Sequence, residues 1–345
     1  GYDGTTAVAN TETWNGSIWT ETSDLNIARD SLANSAAGTK TSALAIAGGT
    51  PSSITNATEE WNANYAYGVW VTGGSMNTTR SQIRGTGTQT AALAVGGEVP
   101  PASTVVANTE FYNGTAWAEV NDLNTARSSG SSSGISTSSL YSGGYLGPPG
   151  ATAINESWNG TAWTEVNDLN TSRYYNSAAG SSNTAALVFG GAVSPTSLGV
   201  TESWNGTSFT EVNDLNTARS GSGGTGTYTA ALATGGDASG TLTAATESWN
   251  GTSWTTVNSM NTARRLQGAS SQSNTLALIF GGLATGPTTT GATESWNGTS
   301  WTNENDLSTV RFAFGGAGTQ GEALAMGPAA AEEWIGNGII TETVN

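Results

Sequence analysis

The chain has 345 residues, a formal net charge of −16 and only 10% charged residues. It contains no Cys and no His, and Lys40 is its only lysine. This composition excludes disulfides, thiolate nucleophiles, imidazole bases and the usual zinc sites. The acidic balance argues against nucleic-acid binding and against contact with anionic membrane surfaces. No stretch approaches about 18 apolar residues, so no membrane insertion is expected.

Three landmarks recur along the chain and define a repeat. The first is an aromatic residue that is usually followed by Asn-Gly, and it occurs at Trp14, Trp61, Tyr112, Trp158, Trp204, Trp249, Trp296 and Trp334. The second is a small apolar run ending in Gly-Gly, at residues 48, 96, 143, 190, 235 and 281, with a seventh copy that reads Gly327-Pro328. The third is an arginine, at Arg29, Arg80, Arg127, Arg173, Arg219, Arg264 and Arg311. Successive Gly-Gly pairs lie 45 to 48 residues apart.

Each repeat is expected to form four short antiparallel strands. For the repeat that follows Arg219, the predicted strands are residues 222–227, 230–234, 246–249 and 252–257. The first is rich in Gly and Ser and narrow enough to crowd a central axis. Asn250-Gly251 joins the last two, and Asn-Gly between alternating segments predicts a hairpin turn in which both central residues take φ > 0. Repeated four-stranded sheets without helical periodicity predict an all-β propeller.

The run from Arg through a small-residue strand and Gly-Gly to two spaced aromatics resembles the kelch repeat, and the resemblance covers essentially the whole chain. The Trp-Asn-Gly form of the repeat is similar to repeats in bacteriophage virion and tail proteins. The kelch resemblance implies a closed propeller. Kelch-like enzymes hold redox metals with His and Tyr ligands, which a chain without His cannot supply. The resemblance therefore implies a binding or structural protein with no cofactor, not an enzyme.

The repeat count predicts a single domain over residues 1–345 with seven four-stranded blades. In this interpretation the N-terminal outer pair within residues 1–28 completes a blade with the C-terminal inner pair at residues 312–328. Residues 329–345, which lack a second Trp and an Arg, form a degenerate outer pair. Alternatively, the C-terminal pair closes the ring and residues 1–28 are additional, or a longer chain forms eight blades. Gly1 in place of Met indicates a processed chain or part of a longer product.

A Glu precedes the first aromatic of most repeats, and an Arg lies 17 residues after it. We interpret these residues as structural ion pairs in or between blades; the alternative is an arginine ring that binds an acidic ligand. The pairs are Glu12–Arg29, Glu110–Arg127, Glu156–Arg173, Glu202–Arg219, Glu247–Arg264 and Glu294–Arg311.

The Asn-Asp-Leu-Asn runs at residues 121–124, 167–170 and 213–216 offer one carboxylate each. Calcium requires about six to eight oxygen ligands, often from several carboxylates. A turn that leads into the next blade is the simpler interpretation, and no metal site is predicted.

Recognition is expected where the repeats differ from one another, because loops on a rigid scaffold commonly carry binding residues. The segments after Gly-Gly vary most, and they are residues 50–57, 98–108, 145–155, 192–200, 237–245 and 283–292. Aromatic residues outside the repeat register suit sugar stacking or a protein interface. With one additional arginine, the candidate binding residues are Tyr65, Tyr67, Arg84, Tyr145, Tyr174 and Tyr175.

The leading hypothesis is an extracellular or virion-surface propeller that mediates attachment or assembly through other virion or cell-surface proteins or host glycans. A secreted carbohydrate-binding propeller is the alternative. A glycan hydrolase is a third reading, since two carboxylates suffice for that reaction, but nearly all Asp and Glu follow the repeat register.

Overall fold

A computed structural model describes residues 5–14, 19–22, 28, 42–49, 54–62 and 68–336, apart from residues 102, 149, 271, 272, 286, 287 and 329. Contacts divide the chain into two compact units, a division that the repeat pattern did not predict. The first unit comprises Gly1–Tyr67 with Asn337–Asn345, and the second comprises Gly68–Gly336. The described elements are all strands. None of the described residues belongs to a helix with the length and hydropathy of a membrane span.

The first unit contains two antiparallel strand pairs among its described residues. Its strands are β1 (Thr11–Trp14), β2 (Trp19–Thr22), β3 (Ser42–Gly49) and β4 (Ile54–Asn62). β1 pairs with β2 so that Trp14 faces Trp19, which is the spacing of the Trp motif. β3 pairs with β4 and carries the first Gly-Gly at its end.

The second unit begins with a strand that is separated in sequence from its sheet, and three complete repeats follow. Its first strands are β5 (Val69–Thr72), β6 (Arg84–Thr88), β7 (Ala91–Val95), β8 (Glu98–Val99), β9 (Thr104–Val105), β10 (Thr109–Tyr112), β11 (Trp117–Glu119), β12 (Ser131–Ile135), β13 (Ser138–Tyr145), β14 (Ala151–Trp158), β15 (Trp163–Val166), β16 (Ser177–Ser182), β17 (Ala185–Phe189), β18 (Ala192–Val193), β19 (Thr196–Ser197), β20 (Thr201–Trp204) and β21 (Phe209–Val212).

Two further repeats and one partial repeat complete the second unit. Their strands are β22 (Gly223–Thr227), β23 (Ala230–Thr234), β24 (Asp237–Ala238), β25 (Thr241–Leu242), β26 (Thr246–Trp249), β27 (Trp254–Val257), β28 (Arg264–Arg265), β29 (Gly268–Ser270), β30 (Ala277–Phe280), β31 (Leu283–Ala284), β32 (Thr288–Thr289), β33 (Thr293–Trp296), β34 (Trp301–Glu304), β35 (Gly315–Gly318), β36 (Glu322–Met326) and β37 (Glu332–Ile335).

The described part of the second unit contains six antiparallel four-stranded sheets, consistent with a propeller-like fold. From first to last strand they are sheet 1 (β6, β7, β10, β11), sheet 2 (β12 to β15), sheet 3 (β16, β17, β20, β21), sheet 4 (β22, β23, β26, β27), sheet 5 (β29, β30, β33, β34) and sheet 6 (β35, β36, β37, β5). The first strand of each sheet contacts the first strands of two other sheets, and β35 of sheet 6 contacts β6 of sheet 1.

Apolar side chains pack between neighbouring sheets. Leu93 and Val95 of sheet 1 form one core cluster with Trp158 and Trp163 of sheet 2. The same arrangement joins each later pair of sheets. It also joins sheet 6 to sheet 1, where Met326 shares a cluster with residues of sheet 1. These buried Trp residues therefore stabilise contacts between repeats of the second unit, with each fully buried aromatic removing roughly 150–250 Å² from water.

The innermost strands require small residues because neighbouring strands approach closely. A Cβ at Gly224 would lie 2.6 Å from the carbonyl oxygen of Ala178 in the preceding sheet. A Cβ at Gly316 would lie 2.6 Å from the carbonyl oxygen of Ala269. The Gly/Ser-rich strand predicted near residues 222–227 is thus the innermost strand β22, and steric crowding explains its composition.

Sheet 6 differs from the predicted way of closing the ring. The sequence interpretation paired residues 1–28 with residues 312–328, whereas β36 pairs with β37, and β37 pairs with β5. The expected seven blades are likewise not reached in the described residues, which hold six four-stranded sheets. The physical reason lies in the aromatic pair: the last repeat lacks a second Trp, and Trp70 occupies that register position opposite Trp334.

The Asn-Gly turns also differ from the prediction. Gly160, Gly206 and Gly251 have φ of 92° to 94°, whereas the preceding Asn residues do not have positive φ. Instead, the side-chain oxygen of Asn159 accepts hydrogen bonds from the backbone N–H groups of Thr161 and Ala162, both at 2.9 Å. This Asx-turn stabilises the four-residue loop, so only the Gly must adopt the left-handed conformation.

Candidate binding face and the axial ring

A crossing is the segment that leads from the last strand of one sheet to the first strand of the next. In each crossing described below, an arginine links the two sheets. The carbonyl oxygen of Arg127 accepts a hydrogen bond of 3.1 Å from the N–H of Gly97 in sheet 1. Its guanidinium pairs with Glu156 of sheet 2, and both side chains are fully buried. A Cβ at Gly96 would lie 2.4 Å from the same carbonyl oxygen. The Gly-Gly landmark therefore makes room for the backbone of the next arginine.

The ion pairs use a different register from the one predicted. The spacing of 17 residues does not correspond to a contact, because each Arg enters the following sheet and meets the Glu of that sheet. The pairs in the described residues are Arg80–Glu110, Arg127–Glu156, Arg173–Glu202, Arg219–Glu247, Arg264–Glu294 and Arg311–Glu332. Glu12 and Arg29 lie outside the residues whose side chains are described.

Each Glu also holds the backbone of the crossing. Glu247 accepts hydrogen bonds from the N–H groups of Asn216 and Thr217 at 2.7 and 3.2 Å, and from the Asn216 side chain at 2.8 Å. Burial lowers the pKa of Arg219, and the adjacent Glu247 opposes that decrease. These contacts give the charged residues that recur in each repeat a structural role, since a buried ion pair is stable only when its remaining hydrogen bonds are satisfied.

The Asn-Asp-Leu-Asn runs serve the same crossings. The Asp122 carboxylate accepts a 3.0 Å hydrogen bond from the N–H of Thr109, and Asn121 donates to the carbonyl of Thr161 in the next sheet at 2.8 Å. Leu123 is 4% exposed and belongs to the core between sheets 1 and 2. Among the described residues, no group of three or more His, Cys, Asp or Glu side chains is placed to hold a metal ion.

Two residues after each arginine, the backbone forms a ring of six hydrogen bonds between the sheets. Each N–H donates to the carbonyl of the equivalent residue in the preceding sheet, at 2.6 to 3.0 Å. All members have φ between 54° and 63°. We call this set the axial ring, and its members are Gln82, Ser129, Tyr175, Gly221, Leu266 and Ala313. Gln82 donates to Ala313, so the ring also connects sheet 1 with sheet 6.

The side chains of the axial ring differ although the backbone is the same. Gln82 donates a 3.1 Å hydrogen bond to the hydroxyl of Tyr175, and Ser129 donates to the Gln82 side-chain oxygen at 3.1 Å. Gly221, Leu266 and Ala313 occupy the other positions. One half of the ring is therefore polar and the other half is apolar.

The structure brings three of the predicted binding residues together beside the polar half of the ring. The rings of Tyr145 and Tyr174 are 5.6 Å apart, and those of Tyr174 and Tyr175 are 4.9 Å apart. All three are partly exposed. Tyr145 follows a Gly-Gly pair and Tyr174 follows Arg173, so two separate segments supply this cluster, which we call the tyrosine cluster. Tyr65 and Tyr67 lie outside the described residues.

Arg84 lies at the start of β6 and lines a cavity of about 70 Å³ that is partly open to solvent. Residues from all six sheets line this cavity, including Gly221 and Leu266 of the axial ring. Burial lowers the pKa of Arg84, and the nearby hydroxyls of Tyr141 and Tyr175 oppose the decrease. Arg84 thus shares its surroundings with the tyrosine cluster, and four of the six predicted binding residues belong to one region.

Sequence reasoning missed Gln82 and Ser129, and it did not pair Arg80 or Glu332 with a partner. The sequence contains one signal for the pairing of Arg80 and another for the position of Gln82 and Ser129. Arg80 has no Glu 17 residues before it, but Glu110 follows it by 30 residues, close to the 28 to 30 residues that separate Arg127, Arg219 and Arg264 from their partners. Glu332 follows Arg311 by only 21 residues. When the repeats are aligned on their arginines, the residue two positions after each Arg differs from one repeat to the next. This variation indicates the position of the axial ring.

Comparison with models of known protein families found no matching family, and comparison with curated proteins found no matching sequence. The function of the chain is therefore inferred from its own geometry.

Proposed function

We propose that the second unit is a closed, six-bladed propeller of kelch-like repeats that acts as a non-enzymatic recognition module. Its setting is the exterior of a virion or cell, where it mediates attachment or assembly through other surface proteins. Two observations support closure of the ring: sheet 6 combines β37 with β5, and the six hydrogen bonds of the axial ring return from Ala313 to Gln82. A closed arrangement leaves no long unpaired sheet edge between repeats.

The tyrosine cluster is the observation that carries the binding role. Tyrosines present a large apolar surface with a polar end and lose little conformational entropy when a partner binds, which is why they are common in interfaces. The segments that hold Tyr145 and Tyr174 are tied to the scaffold by backbone hydrogen bonds, such as the 3.0 Å bond from Ser128 to Tyr145. A rigid cluster of this kind suits recognition because little ordering is needed on binding.

The acidic groups on this face support a role without catalysis. Glu98 accepts a 2.8 Å hydrogen bond from Ser128, and Asp237 forms an ion pair of 2.9 Å with Arg265. Each carboxylate thus has its own structural partner. A glycosidase would instead present two carboxylates facing one another across a bound sugar.

A second candidate function is carbohydrate binding, and the polar half of the axial ring favours it. Gln82, Ser129 and the Tyr175 hydroxyl form a connected set of donors and acceptors beside aromatic rings. Sugar sites commonly combine hydrogen-bonding groups with an aromatic face. In this case host glycans would be the partner.

Purified full-length chain immobilised on a biosensor tests the binding role, with native particles or cell-surface extracts and a glycan array as probes. We expect that Tyr174→Ala and Tyr175→Ala weaken capture by about 10-fold or more, as for central aromatic contacts in interfaces. Tyr228→Ala is the control, because Tyr228 is 44% exposed but lies at the other end of β22 from Gly221 of the axial ring. Equal capture by all three variants would contradict the role of the tyrosine cluster.

A further inference from the structure

Arg84 differs from every other described arginine in its electrostatic surroundings. The other described arginines all form ion pairs with carboxylates within 3.0 Å. The only hydrogen bond found for the Arg84 guanidinium is a 3.0 Å bond to the carbonyl of Ile83. A guanidinium has five N–H donors, so most of its hydrogen-bonding capacity is unused within the described part of the chain.

None of the described residues that line the cavity beside Arg84 is acidic, although the chain carries a net charge of −16. Its other polar side chains are hydroxyls and amides, and they are Ser131, Ser132, Asn176, Ser177, Ser222 and Gln267. A partly buried cation without a counterion is unfavourable, because desolvation of a charge is costly unless a partner compensates for it.

Two buried amide oxygens on the cavity wall also lack partners. Asn176 is 2% exposed and Gln267 is 7% exposed, and neither side-chain oxygen accepts a hydrogen bond. The amide nitrogens are already engaged: that of Asn176 donates to the Ser131 hydroxyl at 2.7 Å, and that of Gln267 donates to the Thr234 carbonyl at 2.8 Å. Both oxygens are themselves buried. The partly exposed hydroxyls of Ser132 and Ser222 are the acceptors that the wall offers to a ligand, in addition to one cation.

We propose that this cavity binds an acidic sugar, with Arg84 pairing with its carboxylate and the serine hydroxyls of the wall contacting its hydroxyls. The inference rests on the carbohydrate-binding candidate above and names its ligand class. A guanidinium matches a carboxylate in a two-point, charge-assisted arrangement. One cation balances one carboxylate, whereas phosphate sites typically gather several cations or backbone N–H groups. Tyr175, whose carbonyl accepts a 2.8 Å hydrogen bond from Gly221 of the cavity lining, provides a nearby aromatic surface for the sugar ring.

Isothermal titration calorimetry of the full-length chain with sodium glucuronate tests this proposal, with glucose and sodium acetate as comparison ligands. We expect glucuronate to bind more tightly than either, because only glucuronate satisfies both the cation and the hydroxyl acceptors. Arg84→Gln should weaken glucuronate binding by roughly 10- to 100-fold, the usual effect of removing a hydrogen bond to a charged group. Arg265→Gln is the matched control: it removes the same charge from an arginine that is paired with Asp237 and 40% exposed.

Four results would overturn the proposal: equal affinity for glucuronate and glucose, equal affinity for acetate and glucuronate, unchanged binding by Arg84→Gln, or an equal loss in Arg265→Gln. Arg84→Lys retains the charge and replaces Arg84→Gln in the binding test if Arg84→Gln does not fold. Because lysine cannot form the two-point contact, unchanged affinity in Arg84→Lys would also contradict the assignment. Capture through Tyr174 and Tyr175 without any glucuronate binding would overturn this inference and leave the proposed recognition role intact.

Discussion

Trp334 faces Trp70 in the register of the antiparallel strands β37 and β5, although these strands lie at opposite ends of the second unit. The same aromatic pairing occurs inside single hairpins, as between Trp158 and Trp163. The ends of the second unit thus reproduce a contact that elsewhere forms between neighbours in sequence. Trp334 is 2% exposed, and a Cβ on Gly68 would overlap its ring, so the strand beside it must approach closely.

A disulfide between β5 and β37 should stabilise the second unit. Val71 and Glu333 are directly opposite in register, and the Cβ atoms of such pairs lie about 4.5–5.5 Å apart. We expect Val71→Cys/Glu333→Cys to oxidise and to raise the free energy of unfolding by about 5–6 kcal/mol in the chain-entropy model, reduced by the loss of the hydrogen bond that Tyr112 donates to Glu333. The thermal midpoint with and without reductant measures the effect.

The control for this disulfide is Val71→Cys/Ile135→Cys, which joins β5 to a strand of sheet 2 at a similarly exposed residue. It should remain reduced because the two strands are not neighbours. Oxidation of the control pair, or no oxidation of Val71→Cys/Glu333→Cys, would contradict the pairing of β5 with β37.

Removal of one buried arginine should destabilise the scaffold. Arg219→Ala leaves Glu247 buried without its cation, and breaking a buried pair in this way costs about 3–5 kcal/mol. Arg265→Ala, in a more exposed pair, should cost at most about 1 kcal/mol. Urea unfolding monitored by Trp fluorescence gives both values. An unchanged midpoint in Arg219→Ala would show that the ion pair is not needed for stability.

The first glycine of Gly-Gly should tolerate no side chain. Gly235 has φ of 60°, and a Cβ there would lie 2.5 Å from the carbonyl oxygen of Arg264. Gly240 has φ of 91° but no atom within 4 Å of its Cβ position. Both substitutions to Ala carry backbone strain of about 1–3 kcal/mol, and only Gly235→Ala adds a steric conflict between sheets. Thermal unfolding should therefore rank Gly235→Ala well below Gly240→Ala, and equal midpoints would refute the close approach.

Alkaline pH should weaken the contact between sheets 1 and 6. Tyr112 donates a hydrogen bond to Glu333, and burial, followed by this hydrogen bond, raises the pKa of Tyr112 from 10.0 to about 12. Because the folded-state pKa is raised, the stabilisation is fully present below pH 10 and is lost as the pH rises from 10 to about 12. Thermal midpoints of the wild type and Tyr112→Phe should converge over this range. A constant difference between them would exclude the linkage.

Several local features followed from the repeat pattern. The strand predicted at residues 230–234 is β23, and the strand predicted at residues 246–249 is β26. The variable segment at residues 98–108 contacts a crossing, since the N–H of Leu123 donates a 3.1 Å hydrogen bond to the carbonyl oxygen of Ala107. These features depend on side-chain alternation and on turn residues a few positions apart, which are local properties of the sequence.

The residue pairs that connect different repeats could not be predicted from such local patterns. Glu156 has Arg127 before it and Arg173 after it, and only the path of the crossing into the next sheet decides that Arg127 meets Glu156. Nor does the pattern state that Tyr145, Tyr174 and Arg84 share one region, since they belong to separate strands and crossings. In a strictly periodic sequence, alternative pairings between repeats fit the same local pattern, so the sequence does not distinguish them.

The sequence by itself determined the all-β class, the repeat length, the Gly-rich innermost strand and the residues that depart from the repeat. The tertiary structure decided the ion-pair register, the axial ring and the pairing of β5 with β37. The physical reason is that hydrogen bonding and side-chain alternation act over a few residues. Pairing between equivalent positions of different repeats is chosen instead by packing across the whole sheet arrangement, where Trp70 completes the aromatic pair that the last repeat lacks.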